Sequence, residues 1–246
     1  MNKGRIRRAA DKAVPIIVTL GLVAGGLLSG QRIADGSRRS LETLAGVSEP
    51  RPTVVLDPGH GGMDGGCVSV NDIPEKGINL SIALTERDLL TVMGYEVTMT
   101  REDDRSIHDD DSVSLSQQKL SDMRNRLEII DRDPTGIAVS IHQNQFTDSR
   151  YSGAQMFYSE RNAQGAKLAE TLRSQFRSLL QPDNERETKP VGDELFLLDK
   201  SDKPVVMAEC GFLSNPEEAA LLETPAYQRQ VAFTIMTGIL LYGAGS

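Results

Sequence analysis

The chain has 246 residues, 39% hydrophobic and 25% charged, enough for one core of catalytic size plus an appendage. A formal net charge of −8 excludes wrapping a nucleic-acid backbone, and 4% aromatic content with no tryptophan argues against a base- or sugar-stacking platform. Two cysteines exclude both a disulfide-rich scaffold and a four-thiolate zinc site.

The charge is unevenly spread. Residues 1–51 hold nine Lys or Arg against four Asp or Glu, whereas residues 52–246 hold eighteen against thirty-one. Within the basic part, Lys3, Arg5, Arg7, Arg8 and Lys12 precede a run of 19 uncharged residues, Ala13 to Gln31. That length is close to the ~20 residues a helix needs to cross a bilayer. The upstream cations orient it with the tail inside and the rest of the chain outside. Residues 1–31 are therefore expected to be a membrane anchor. A cleaved signal peptide is the competing reading, with Ala24-Gly25-Gly26 as a weak cleavage site. Either way the remainder is exported. Residues 32–52 are polar and end in Glu-Pro-Arg-Pro, which marks a linker.

From Thr53 onward, strand and helix patterns alternate. Thr53–Asp57 is an apolar strand stopped by Pro58-Gly59, and Ile78–Met93 an amphipathic helix ended by Gly94. Tyr95–Thr100 reads as a strand, the acidic stretch 101–114 as a loop, and Leu115–Ile130 as a helix. Ile137–Ile141 and Ala154–Tyr158 are strands and Gln164–Leu180 is a helix. Glu194–Leu198 and Pro204–Glu209 read as strands, and Pro225–Leu241 as a closing helix. The alternation predicts a three-layer α/β sandwich, with a largely parallel or mixed central sheet flanked by helices. In such folds functional groups collect beyond the carboxyl ends of the strands.

Three polar groups stand at those ends: His60 in DPGHGG, His142 in SIHQN and Glu209 in AECGF. Each alone reads as a hydrogen-bonded structural residue or an ion-pair partner. Together with Glu75, fifteen residues after His60 at the start of the first helix, they suggest a metal centre. Two imidazoles and a carboxylate are a ligand set of catalytic zinc, which brings the pKa of bound water towards ~7. Glu209 is the unassigned carboxylate available to carry the proton to a leaving group.

The DPGHGG, Glu75, SIHQN and AECGFLSN segments, in that order from about Thr53 to Tyr242, resemble the zinc-dependent N-acetylmuramoyl-L-alanine amidases of bacterial cell walls. The resemblance makes residues 53–246 the catalytic domain, His60, Glu75 and His142 the Zn2+ ligands, and Glu209 the catalytic acid/base. It implies hydrolysis of the amide joining the lactyl group of N-acetylmuramic acid to the L-alanine of the peptidoglycan stem peptide. An anchor followed by one catalytic domain resembles the spore-cortex enzymes, which prepare the wall for muramic δ-lactam formation. The alternatives are a general amidase of cell separation or wall turnover, and an inactive peptidoglycan-binding homologue. Peptidoglycan and the membrane are the implied partners, and an activator protein is left open.

Other positions carry smaller expectations. Arg186 is similar to a basic residue of the family, in a segment that departs from its pattern, and Gln143 and Gln145 replace smaller residues near the metal. Asp57 and Asp64 are expected either to orient His60 through its other ring nitrogen or, for Asp57, to cap the turn. His108 is read as part of a solvated loop. Cys67 and Cys210 are read as free thiols, with Cys210 on the strand face opposite Glu209. The pairs Asp193-Glu194 and Glu217-Glu218 are read as surface.

Overall fold

The computed structural model describes residues 51–244. The uncharged run 13–31 and nearly all of the predicted linker lie outside the described residues. Among the described residues, no helix is long and apolar enough to cross a membrane.

The elements in chain order are β1 (Val54–Pro58), α1 (Glu75–Val92), β2 (Val97–Met99), α2 (Leu115–Asp131), β3 (Ile137–Asn144) and β4 (Gln155–Ser159). There follow α3 (Ala163–Gln175), β5 (Lys189–Val191), α4 (Phe196–Lys200), β6 (Val205–Phe212), α5 (Pro216–Leu222) and α6 (Pro225–Ala244). The strands form one sheet in the order β2-β1-β3-β6-β4-β5. Strands β2, β1, β3 and β6 run parallel, β4 is antiparallel to β6, and β5 is parallel to β4. The sheet is therefore mixed, as predicted, with the reversal confined to one side.

Strand alternation divides the core between two faces. On one face Val54, Leu56, Val139, Ile141, Val206, Ala208 and Cys210 pack with Ile82 of α1, Leu168 and Leu172 of α3, and Val231 and Ile235 of α6. On the other, Val55, Ala138 and Val205 meet Ile130 of α2 and Leu197 and Leu198 of α4. The major core contains one misfit. Glu86 of α1 is fully buried, and neither carboxylate oxygen has a hydrogen-bond partner among the described residues. Burial raises its pKa well above the usual carboxylate range and so favours the neutral form.

Local chemistry sets the element ends. Ser114 and Gln117 form a reciprocal capping box at the start of α2, and Asn215 caps α5 with Pro216 in its first turn. Two expectations fail on the β4 side. Residues 194–198 are not a strand: Phe196–Lys200 is the short helix α4. The four-residue apolar run Leu195–Leu198 satisfies either period, and packing against α2 decides it. The strand of that region is instead Lys189-Pro190-Val191, whose proline is tolerated because β5 lies at the sheet edge. The helix predicted over 164–180 is α-helical only to Gln175 and ends in a π turn over Phe176–Leu180.

Candidate metal centre

β1 delivers the first candidate ligand. Beyond Pro58 the chain turns at Gly59, where an added Cβ would stand 2.1 Å from Cε1 of His142, so the second imidazole packs against a bare α-carbon. His60 follows with φ of 64°, a costly conformation for a residue with a side chain. Two buried arginines brace the turn. Arg101 donates to the carbonyls of Pro58 (2.9 Å) and Gly59 (2.8 Å), and Arg126 to those of Pro58 (3.0 Å) and His60 (2.7 Å). Arg126 also donates to Asp57 at 2.6 Å, and Asp57 accepts from Thr100 (2.7 Å) and Ser140 (2.6 Å). Asp57 is thus spent on Arg126 and two hydroxyls; of the two aspartates, Asp64 is the one that reaches His60.

His60 Nδ1 lies 3.0 Å from Asp64 Oδ2, while its Nε2 is 3.2 Å from Glu75 Oε2. His142 Nδ1 is 3.0 Å from Glu75 Oε1, and the two rings meet edge-on with centroids 4.9 Å apart. The donor atoms of His60, Glu75 and His142 lie within 4.8 Å of one another, close enough for one ion to bind all three. Glu75, the first residue of α1, is 2% exposed. Its carboxylate accepts from the backbone N–H of Cys67 (2.9 Å) and Gln143 (2.9 Å), and from Asn79 one turn along (3.0 Å). Gly66, at φ +70°, leaves room for this crowding: a Cβ there would be 2.5 Å from Glu75 Oε2.

The electrostatics suit a cation. Burial works against charge on His60, but Glu75 and Asp64 override it and raise its pKa to about 9. Burial likewise opposes charge on Glu75, yet the two imidazoles hold its carboxyl far below the usual range. A carboxylate clasped between two rings, one of them oriented by a further acid, is a donor set that fits zinc with its outer support in place.

Glu209 lies on β6 as the Cα partner of His142 on β3. Its Oε2 is buried with no hydrogen-bond partner among the described residues. Burial raises its pKa to about 7 against the pull of His142, within the range of a proton-transfer group working near neutrality. Cys210 is buried on the opposite face, as expected, and both cysteines are free thiols. Burial pushes both thiols upward, so neither is a ready nucleophile.

Gln143 and Gln145 do not intrude on the ligands. Gln143 turns to Asn79 (3.1 Å), the residue that steadies Glu75, and Gln145 donates to the Val68 carbonyl (3.3 Å). His108, in a loop as read from the sequence, lies 2.8 Å from the Ser106 hydroxyl and helps line a cavity of about 360 Å³ beside His60. Glu218 is not simply surface: it accepts from the backbone N–H of Gly153 (2.9 Å) and Phe212 (2.8 Å). Arg101 and Arg126 carry no motif and escape sequence reasoning. Asn79, four residues after Glu75 on one helix face, was open to discovery by spacing.

Residues 54–240 match the family model described as N-acetylmuramoyl-L-alanine amidase. The germination-specific N-acetylmuramoyl-L-alanine amidase of Bacillus subtilis is 38% identical over 189 residues, covering 77% of this chain and 78% of that protein. The N-acetylmuramoyl-L-alanine amidase AmiA of Escherichia coli is 27% identical over 264 residues, 87% of this chain and 86% of the relative. Among solved structures, the CwlD amidase of Clostridioides difficile in complex with the GerS lipoprotein superposes with a TM-score of 0.76 at 37% identity, over 79% of this chain and all of the other.

Proposed function

Because the chain belongs to the N-acetylmuramoyl-L-alanine amidase family, which acts on peptidoglycan, we propose that His60, Glu75 and His142 hold a zinc ion and that Glu209 is the catalytic acid/base. The observation that carries this reading is the convergence of three donors within 4.8 Å across the β3–β6 ladder from Glu209, whose Oε2 is buried without a hydrogen-bond partner among the described residues.

Zinc, when bound, supplies Lewis acidity towards the lactyl carbonyl and towards a water. The chain's own residues do the rest. Asp64 accepts the Nδ1 proton of His60 and so leaves Nε2 free to face an ion. Asn79 and the amides of Cys67 and Gln143 fix the Glu75 carboxylate. Glu209, with a pKa of about 7, takes a proton from the attacking water and returns it to the alanine nitrogen as the amide breaks. The test is chelation: dialysis against a strong chelator abolishes release of stem peptide from purified peptidoglycan, and added zinc restores it. Undiminished digestion by the chelated chain overturns the reading.

We further propose a role in spore cortex maturation, outside the cell membrane, with residues 1–31 as the anchor or export signal. The 38% likeness to a germination-specific amidase and the basic-then-apolar pattern of residues 1–31 support this. The complex of the CwlD amidase with a lipoprotein supports a lipoprotein partner for this chain as well. Muropeptide analysis of spores lacking the protein tests the role: loss of muramic δ-lactam supports it, and a normal cortex removes it.

A further inference from the structure

A cavity of about 920 Å³ opens beside the start of β4, lined in part by Arg150, Tyr151, Gln181, Arg186, Glu218 and Tyr227. Its charged groups are mostly spent. Arg150 forks onto Asp148, with bonds of 3.0 and 2.6 Å, and Glu218 holds two backbone amides. Asp183 and Glu185 stand exposed on the rim. Arg186 differs. Its guanidinium lies 4.5 Å from the ring centroid of Phe212 and 5.4 Å from that of Tyr151, and its Nε donates to the Ser152 carbonyl at 2.8 Å. Nη1 donates to Gln155 Oε1 at 3.0 Å. Those bonds take two of the five N–H donors of a guanidinium already locked by stacking.

Gln155 links this cation to the chemistry, because it is the Cα partner of Glu209 across the β4–β6 ladder. Directly opposed residues share a face, so the side chain that anchors Arg186 neighbours the proposed proton carrier. Glu209 in its proposed role reaches the alanine nitrogen, so a stem peptide running from there along β4 would meet Arg186. Beyond the L-alanine that peptide carries free carboxylates, which an acidic domain otherwise repels.

We propose that Arg186 is the carboxylate-binding residue of the substrate site, taking a free carboxylate of the stem peptide on the leaving-group side of the scissile amide. The proposal deepens the amidase reading and rests on the role given there to Glu209. A preformed guanidinium fork favours a carboxylate over the neutral carboxamide of the same shape.

The test uses two muramoyl-dipeptides, identical except that the residue after L-alanine bears a carboxylate in one and a carboxamide in the other. With the zinc-loaded full chain, Arg186→Gln raises KM for the carboxylate substrate roughly 10- to 100-fold, the range for a lost charged hydrogen bond. The carboxamide substrate changes about twofold or less, and kcat for both is retained. Arg186→Lys keeps the charge without the fork and falls between. Equal losses on the two substrates, or none on either, overturn the proposal. Calorimetric binding of the released acidic dipeptide separates it from the amidase reading. A chain that binds this dipeptide in an Arg186-dependent way but cleaves neither substrate sinks the amidase reading alone, whereas cleavage with Arg186-independent binding sinks this one alone.

Discussion

His142 and Glu209 face each other as direct partners in the β3–β6 ladder, one turned towards Glu75 and the other with its buried Oε2 unpartnered among the described residues. The ladder itself therefore fixes the separation between the proposed metal ligand and the proposed proton carrier. Glu209→Gln keeps the shape and removes the titration. Peptide release is expected to fall roughly a hundred- to ten-thousand-fold, while one zinc per chain is retained by elemental analysis. A variant that stays active places the proton elsewhere.

Metal uptake is expected to depend on pH through His60. Its pKa of about 9 lies above the ordinary 6.5, so the zinc-free chain carries this proton at pH 7 and must release it to bind. Titration calorimetry in buffers of different ionisation enthalpy should show proton release on zinc binding, diminishing as pH approaches 9. Stability follows the same sign: the contribution of protonated His60 is fully present below 6.5 and lost as pH rises through 9. The lowered pKa of Glu75 adds stability that persists throughout this window. The denaturation midpoint of the zinc-free chain should accordingly fall between pH 7 and 9.5.

Gly59→Ala places a methyl group 2.1 Å from the His142 ring. The imidazole must swing away from Glu75, so zinc stoichiometry and activity are expected to fall together. Far-ultraviolet dichroism should remain that of the parent, since the change is local.

Arg126→Met removes the partner of an aspartate that is 1% exposed, at the foot of the His60 turn. An uncompensated buried carboxylate costs about 3–5 kcal/mol, and urea unfolding should register a loss of that order. The double change Asp57→Asn with Arg126→Met should recover part of it.

Glu86→Leu should act oppositely. The carboxyl satisfies none of its hydrogen bonds and is driven towards its neutral form in the core. Its raised pKa makes it progressively more costly to folding as pH rises above 4.5, where the unfolded chain ionises freely. Replacement by leucine should raise stability by about 1–3 kcal/mol at pH 7, read from the unfolding midpoint.

The parallel strands were legible because burial on both faces demands unbroken apolar runs such as TVVLD and PVVMA, and the polar residue ending each run announced the site. His60, His142 and Glu209 were readable for that reason, Glu75 by its place at the start of the first helix fifteen residues after His60, and strand alternation gave Cys210 the face opposite Glu209. The region beyond β4 was not. Phe196–Lys200 and Lys189–Val191 are too short for periodicity to separate helix from strand, and tertiary packing overrides propensity there. The braces around the proposed metal ligands were equally hidden. Arg101 and Arg126 act through backbone carbonyls many residues away, and a carbonyl acceptor leaves no trace in the sequence.

Those two guanidinium groups have a thermodynamic consequence. With Pro58, Gly59 and His60 already pinned by their carbonyls, the loop has little ordering entropy to lose to an arriving ion, so displacement of the His60 proton is left as the main charge against affinity. Such a pocket answers to the surrounding concentration of metal as a rigid receptor does, with simple saturation and little change of shape.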